Sequence, residues 1–376
     1  MRVLIDARYV ESQLQGVGRY TLNLLLGLSH VDSNLEFFVF YKNPLPPKVL
    51  ERSGGVYRHR FQWIKALCHP HNPLQQAELA WTLKIHGIHL FHNTSNSSIW
   101  TGTTPNVVTA HELEVLHQFP NLKARKKETQ VKRTFRKSNL IITVSQTLAD
   151  EVESHFHVSR PKIRVISNAI DPWYRDTVKA EEIKVMRDRF KIQQPYFLCV
   201  TANRPTKNIQ LIEKVLRTWD GNEHWVFTLE PPTSLSLSTV SGERSTIGTN
   251  KGVAHYLNKV EDIWLRPLYA AAKAVIVPSL YEGFSLPPLE ALACKSLPVV
   301  SDIAAHREAL KEVLSPEYFF DPSSAESLER ALQSVLNGGE PQKTFILEKF
   351  KQVVERYSFI ETAKQIHLVY KEALGI

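Results

Sequence analysis

Two glutamates eight residues apart, Glu282 and Glu290, bracket the run Gly283-Phe284-Ser285-Leu286-Pro287-Pro288. A carboxylate can accept two hydrogen bonds from a vicinal diol, so such a pair has the chemistry to grip a sugar and a ribose. An apolar run ends at Pro278, and Pro288 stands where a helix begins. In a tight turn around Gly283, the backbone N–H groups of Gly283, Phe284 and Ser285 would meet an anionic or hydroxyl-rich ligand. Taken singly, each glutamate also reads as a turn residue or as an acid favoured by a helix dipole. Arg204 and Lys207, three apart after the run Tyr196–Val200, offer a planar fork and a point charge to an anion. Alone, they read equally well as solvated surface charges.

Nearer the N-terminus, Gly16 and Gly18 permit close backbone approach to a ligand, with Arg19 beside them; an ordinary tight turn would use the same residues. His111 follows the apolar run Asn106–Ala110 directly, which places its ring at the carboxyl end of a strand, whether as a ligand contact or as a satisfied structural histidine. The pairs His69/His71, His89/His92 and His155/His157 form no coherent ligand set, so no metal is expected. Cys68, Cys199 and Cys294 are odd in number and far apart, which suggests neither a disulfide framework nor a zinc site.

The elements that position these residues alternate. Strand-like runs at Val3–Ile5, Leu35–Phe40, His89–His92, Asn106–Ala110, Leu140–Val144 and Ile163–Ile166 are followed, after a break near Asn168–Trp173, by a second series. That series is Tyr196–Val200, Trp225–Leu229, Ala274–Pro278, Pro298–Ser301 and Tyr318–Phe320. Most are bare apolar runs, as expected of strands covered on both faces of a parallel sheet. Helical stretches such as Tyr20–Leu28 and Asn208–Trp219 separate them. The reading is α/β, with two doubly wound domains and the ligand at the carboxyl ends of the strands, in a cleft between the halves. The Ser/Thr-rich stretch Pro231–Thr249 reads as a long surface loop.

With 376 residues, 43% apolar and 22% charged, the chain has the composition of a globular protein of about two domains rather than a disordered or coiled-coil one. No run approaches the roughly 18 apolar residues of a membrane span. Charge is unevenly shared. Residues 1–170 hold 21 Lys+Arg against 12 Asp+Glu, and residues 171–376 hold 25 against 26. The excess gathers in Asn121–Lys137, which has a net charge of +7. There Val131 and Phe135, four apart, would dock a helix whose other faces are basic. This stretch reads either as a solvated helix or as a surface that attracts anionic lipid or a lipid-diphosphate. No aromatic stacking platform accompanies it, so nucleic acid is not expected.

The block from Pro278 to Ala291 resembles the Glu-x7-Glu signature of retaining, family-four (group 1) glycosyltransferases of the GT-B fold, which include mannosyltransferases. Other segments are similar to theirs: Gly16–Tyr20 to the glycine loop, Val108–Glu112 to the histidine loop, Asn203–Asn208 to the phosphate-binding turn, and Ser301–Glu308 to a further cleft element. Tyr357–Tyr370 resembles the C-terminal helix that crosses back onto the first domain. The resemblance implies an acceptor-side domain at 1–170, a nucleotide-sugar domain at 171–356 and a returning helix at 357–376. It also implies site roles. His111 and Glu282 would meet the transferred sugar, and Glu290 the ribose. Arg204 and Lys207 would neutralise the diphosphate in place of a divalent cation; the chain offers no compact Asp-x-Asp. Gly16, Gly18, Gly283, Phe284, Ser285 and Leu286 would lie along the nucleotide. Thr201, Asn258, Lys295 and Ala169 stand where the family often has glycine, and Glu112 where aspartate is common.

The expected activity is transfer of a hexose, with retention, from a nucleotide diphosphate sugar to a hydroxyl of a glycan or lipid-linked glycan. No metal or further cofactor is expected. The Asn203–Asn208 and Ser301–Glu308 segments lean toward GDP-mannose, ahead of UDP-glucose or dTDP-rhamnose. Two alternatives are a non-hydrolysing nucleotide-sugar epimerase and a non-catalytic binding protein of the same fold. The N-terminal MRVLIDARYV lacks the long apolar run of an export signal, so the expected location is cytoplasmic, peripheral on the inner face of the membrane.

Overall fold

The computed structural model describes residues 1–10, 16–44, 60–70, 72–97, 101–117, 122–231, 239–241, 244–248, 253–258 and 260–376. The chain divides into two compact units, one of Met1–Asp171 with Glu355–Ile376 and one of Pro172–Val354.

The first unit runs β1 (Arg2–Asp6), α1 (Gly16–Ser29), β2 (Glu36–Tyr41), β3 (Phe61–Lys65), α2 (Gln75–Ile85), β4 (Leu90–Asn93), β5 (Asn106–Ala110), α3 (Leu122–Lys137), β6 (Leu140–Thr143), α4 (Gln146–Phe156) and β7 (Ile163–Val165). Its strands pair in parallel in the order β3-β2-β1-β4-β5-β6-β7. The winding therefore reverses between β1 and β4, and the loops that leave those two strands diverge. Successive strand residues face opposite layers. Val3, Ile5, Phe37 and Val39 join Leu24, Leu25 and Leu28 of α1 in one core. Leu4, Phe38 and Phe40 join Leu79 and Leu83 of α2 in the other. The edge strand β3 went unread because Phe61-Gln-Trp-Ile-Lys65 is short and mixed in polarity.

The second unit runs α5 (Pro172–Arg175), α6 (Ala180–Phe190), β8 (Tyr196–Cys199), α7 (Ile209–Thr218), β9 (His224–Phe227), β10 (Thr239–Ser241), β11 (Arg244–Gly248), β12 (Val253–Leu257), α8 (Asp262–Ala271), β13 (Ala274–Val277), α9 (Pro287–Ala293), β14 (Leu297–Ser301), α10 (Ala304–Leu310), β15 (Phe319–Phe320) and α11 (Ala325–Val353). The sheet order is β10-β11-β12-β9-β8-β13-β14-β15. From β12 to β15 it is parallel and reverses its winding between β8 and β13. β10 and β11 add to it antiparallel, which corrects the surface-loop reading of Pro231–Thr249 at 239–241 and 244–248; 232–238, 242–243 and 249 lie outside the described residues. Threonine is β-branched and suits a strand, so Ser/Thr-rich composition alone does not signal a loop. Within α11 the helix breaks at Gly339 (φ 58°), two residues before Pro341.

The last helix, α12 (Phe359–Leu374), belongs to the first unit. Ala363, Ile366 and Tyr370 recur at helical spacing and enter the core beside α1. Gly27 sets how closely the two helices pack. A Cβ there would lie 2.3 Å from the Phe359 carbonyl oxygen and 2.5 Å from Ala363 Cβ. Gly27→Ala is therefore expected to push α12 off α1 and to cost about 1–3 kcal/mol, the usual range for overpacking. Denaturant unfolding measures this, and wild-type stability in the variant would show that the approach is not tight.

Candidate functional site

The second unit gathers charge at its winding reversal. β8 is fully buried and leads through a 3₁₀ turn, Pro205–Lys207, to Asn208, whose backbone is left-handed (φ 52°). Asparagine tolerates that conformation, and here its Nδ2 also donates to the Pro322 carbonyl at 2.8 Å. α7 starts at the next residue and is anchored by Ile209, Ile212, Val215 and Leu216. Lys207 is thereby fixed at the head of a docked helix. β13, the neighbour of β8, leads to Ser279 and Glu282. The two loops are stitched by Leu280 N–H donating to the Thr206 carbonyl at 2.8 Å.

Lys207 Nζ and Glu282 Oε1 meet at 2.6 Å, with side chains only 14% and 10% exposed. Ser279 Oγ donates to the same carboxylate oxygen at 2.6 Å. Behind them lies a buried relay. Ser301 Oγ donates to the Ser279 carbonyl, and His306 Nδ1–H donates to the Ser301 carbonyl at 2.8 Å. Burial holds the His306 imidazole below its ordinary pKa, so it is neutral. Its Nε2 is then an acceptor for Ser285 Oγ at 3.1 Å. That bond pins the left-handed residue of the turn, which is Ser285 (φ 78°) and not Gly283. Lys295, one of the residues at a usual glycine position, is likewise left-handed (φ 62°).

Glu290 lies in the first turn of α9, where the helix dipole favours a carboxylate. It is buried, and its Oε2 accepts from Tyr269 Oη at 2.8 Å. Burial and the adjacent carboxylate push the Tyr269 phenol well up, which keeps it a donor. Arg204 caps the 3₁₀ turn, with its own N–H bonded to the Ala202 carbonyl and its carbonyl to Lys207 N–H.

The remaining candidates stand on the first unit. Gly16 and Gly18 lie inside the first turn of α1, which corrects their reading as a loop before a helix starting at Tyr20. Small residues are accommodated in a first turn, whose N–H groups lack intrahelical partners and suit an anion. His111 follows β5. Its Nε2–H donates to the Thr94 carbonyl at 2.8 Å, and the ring lies nearly perpendicular to Tyr20 at 4.5 Å between centroids. Burial lowers its pKa to about 4, so it is neutral near pH 7, with Nδ1 as an acceptor. Such a ring accepts a hydrogen bond from a hydroxyl better than it neutralises phosphate. Sequence reasoning missed the fully buried Asp6–Arg8 ion pair at the end of β1 (2.8 Å) and the role of Ser279. Among the described residues, no three His, Cys, Asp or Glu side chains cluster as a metal-ligand set. An open groove of about 480 Å³ between α7 and α11, lined by Trp219, Glu329 and Arg330, holds none of these residues.

Two doubly wound parallel sheets with a C-terminal helix returned to the first define the GT-B class. Within that class, the chain belongs to the group 1 glycosyltransferases: the Glycosyltransferase Family 4 model matches residues 14–174, and the Glycosyl transferases group 1 model matches residues 242–352. The chain is similar to the O-antigen chain mannosyltransferase RfbU of Salmonella typhimurium, with 26% identity over 230 residues, or 61% of this chain and 58% of that one. It thus spans less than two thirds of that relative's length. To the O-antigen chain mannosyltransferase B of Escherichia coli it is 25% identical over 330 residues, 80% and 82% of the two chains. Among solved structures, Anabaena Alr3699/HepE in complex with UDP and glucose matches with a TM-score of 0.72 at 13% identity, over 99% of this chain and 100% of that one.

Breaking a largely buried ion pair from one side leaves an uncompensated charge in a place with little solvent. Lys207→Met is expected to cost on the order of 3 kcal/mol, and the double variant Lys207→Met/Glu282→Gln is expected to recover much of it. Urea unfolding of the four proteins gives the coupling energy; additive losses would show that the pair carries none.

Proposed function

We propose that the protein is a retaining, metal-independent glycosyltransferase that moves a hexose from a nucleotide diphosphate sugar to a hydroxyl of a glycan or lipid-linked glycan. The observation that carries this reading is the Lys207–Glu282 pair at the β8/β13 reversal. It sets a point charge for the leaving diphosphate beside a carboxylate acceptor for sugar hydroxyls, at the place where a doubly wound sheet binds its ligand. Arg204 adds a fork to the diphosphate, and Glu290 takes the ribose diol. The N–H groups of the Gly283–Leu286 turn and of Gly16 and Gly18 approach the nucleotide. His111 accepts from a hydroxyl of the transferred sugar.

In the reaction, the bond from the anomeric carbon to the phosphate oxygen breaks and a bond to the acceptor oxygen forms on the same face. The acceptor's proton passes to the departing phosphate. Mannose as the sugar is supported by the names of the two mannosyltransferase relatives, and GDP-mannose as the donor rests on the resemblance of the Asn203–Asn208 and Ser301–Glu308 segments.

The exposed side of α3 is the proposed acceptor-side surface. Ala124, Val131, Thr134 and Phe135 are buried, whereas Arg125, Lys126, Lys127, Arg133, Arg136 and Lys137 are exposed; Asn121 lies outside the described residues. In the same unit Leu74, at the N-terminal cap of α2, and Trp81 and Ile85 within it are exposed along one line, an apolar stripe whose tryptophan is of the type enriched at lipid interfaces. Among the described residues no helix is long and apolar enough to cross a membrane. We read this surface as one that meets an anionic membrane bearing the acceptor.

The donor side is tested first by a thermal-shift screen of GDP, UDP, dTDP and ADP. GDP is expected to give the largest rise, in proportion to RT ln(1 + [L]/Kd). Glu290→Ala should weaken free-nucleotide binding and raise the donor KM, whereas Glu282→Ala should chiefly lower kcat. Lys207→Ala and Arg204→Ala should each lose about 2 kcal/mol or more of transition-state stabilisation, with turnover undiminished by EDTA. Equal effects of the two glutamates on nucleotide affinity would refute their division of labour. Loss of turnover on chelation would refute metal independence, and release of an altered free sugar without acceptor would favour the epimerase alternative.

The acceptor side is tested with vesicles of anionic phospholipid. Salt-sensitive binding is expected, lost when Lys126, Lys127, Arg133 and Lys137 are changed to Glu, with nucleotide affinity unchanged. Wild-type protein that ignores such vesicles at low salt would point instead to an acceptor glycan free in solution.

A further inference from the structure

The first unit contains a buried polar chain that the proposed chemistry does not use. Tyr370 Oη on α12 lies 2.6 Å from His92 Nδ1 on β4. His92 Nε2 lies 2.8 Å from Thr109 Oγ1 on β5, and Thr109 Oγ1 lies 3.0 Å from Tyr20 Oη on α1. His92, Thr109 and Tyr370 are fully buried and Tyr20 nearly so. Burial lowers the His92 pKa to about 3, so its ring is neutral, with one nitrogen donating and the other accepting. The hydroxyls can therefore run in one sense along the whole chain, from Tyr370 to Tyr20 or from Tyr20 to Tyr370. Displacing any member leaves a buried polar atom unpaired, which costs more than the bond itself contributes. The Tyr20 ring is thus fixed from behind by two strands and the C-terminal helix.

In front of that ring lies His111. Its imidazole is held on two sides, by the Thr94 carbonyl at Nε2 and by the Tyr20 ring standing at 76° to it. Thr94 is anchored in turn, since its Oγ1 donates to the Asp6 carbonyl at 2.6 Å. The Thr94 bond selects the tautomer, and Tyr20 limits rotation of the ring about its stem. Both are needed for Nδ1 to face a constant direction. We propose that Tyr20 is the positioning residue of His111, held in register by the Thr109–His92–Tyr370 chain, so that the C-terminal helix keeps the histidine's acceptor nitrogen aimed at the transferred sugar. This rests on the transferase reading for its consequence, and on geometry within one unit for its structural content.

The experiment pairs kinetics with long-range ¹H–¹⁵N imidazole spectra of the full chain, the His111 signal being assigned through His111→Gln. Wild-type protein is expected to show the Nε2–H tautomer. Tyr20→Met, which keeps much of the volume without the ring, should let the imidazole turn away from the Thr94 carbonyl, mix the tautomers that this bond selects and lower kcat about tenfold or more, with donor KM near wild type. Tyr20→Phe keeps the ring but cuts its bond to Thr109, and should give a smaller shift in the same direction with most of kcat retained. If Tyr20→Met does not fold, the isosteric Thr109→Val and the Tyr370→Phe variant read the same signals from further along the chain and are expected to give smaller shifts in the same direction. An unchanged His111 spectrum in Tyr20→Met, or in both chain variants where Tyr20→Met cannot be obtained, overturns the proposal, whatever the activity. A changed spectrum in a protein that transfers no sugar from any donor upholds the positioning and sinks the transferase reading instead.

Discussion

The site in the second unit depends on a single contact, the Lys207–Glu282 ion pair, whose side chains keep little access to solvent. An ammonium and a carboxylate so little exposed are costly to leave unpaired, and their attraction holds the loops after β8 and β13 side by side. Adjacent strands whose connections leave in opposite directions make that possible. The supporting contacts follow from it. Leu280 ties to Thr206, Ser279 shares the carboxylate, and Ser301 and His306 hold Ser279 and Ser285 from below. Substitution at Ser279 or Ser301 would reach Glu282 through one or two hydrogen bonds.

The first unit meets the same burial problem differently. Its one described fully buried ion pair, Asp6–Arg8, is local, joining residues two apart. The long-range polar chain buried in its core is neutral: two histidines held below their usual pKa by burial, a threonine and two tyrosines, whereas its long-range ion pairs, such as Arg164–Glu372, lie at the surface. Neutral partners avoid the desolvation cost of charge while still demanding one geometry. The unit's positive charge is displayed on the outer face of α3 instead, anchored by Val131 and Phe135.

Most of the parallel strands were legible because most are bare apolar runs at regular spacing. The short or chemically mixed ones were not: the parallel strands β3, at an edge, and β12, with a histidine at its centre, went unread, and threonines hid β10 and β11 inside a stretch that reads as loop. Gly16 and Gly18 suggested a loop because glycine marks turns, yet a helix end admits it equally well. Gly283 drew attention to the right turn, but the left-handed residue is Ser285, whose conformation is held by His306 and not by its own propensity. The Lys207–Glu282 pair joins residues 75 apart, and the His92–Tyr370 bond joins residues 278 apart. Neither was visible in the sequence, since both arise from strand order and helix docking, which local spacing does not encode. His92 read correctly as a strand residue, while its partners stayed hidden.

The ion pair also bears on how a diphosphate would be received. As they stand, Lys207 and Glu282 neutralise each other through one carboxylate oxygen. On the proposed reading a diphosphate, with more than one negative charge, competes for the same ammonium and wins by Coulomb attraction in a poorly hydrated site. Glu282 then loses its strongest donor and has an oxygen with unused acceptor capacity, still fixed by Ser279. Sugar hydroxyls can satisfy it, and free nucleotide cannot. The carboxylate is thereby made ready for the transferred sugar at the moment the diphosphate is neutralised, so that its effect falls on turnover. The coupling between leaving group and sugar follows from the same two residues that hold the loops together.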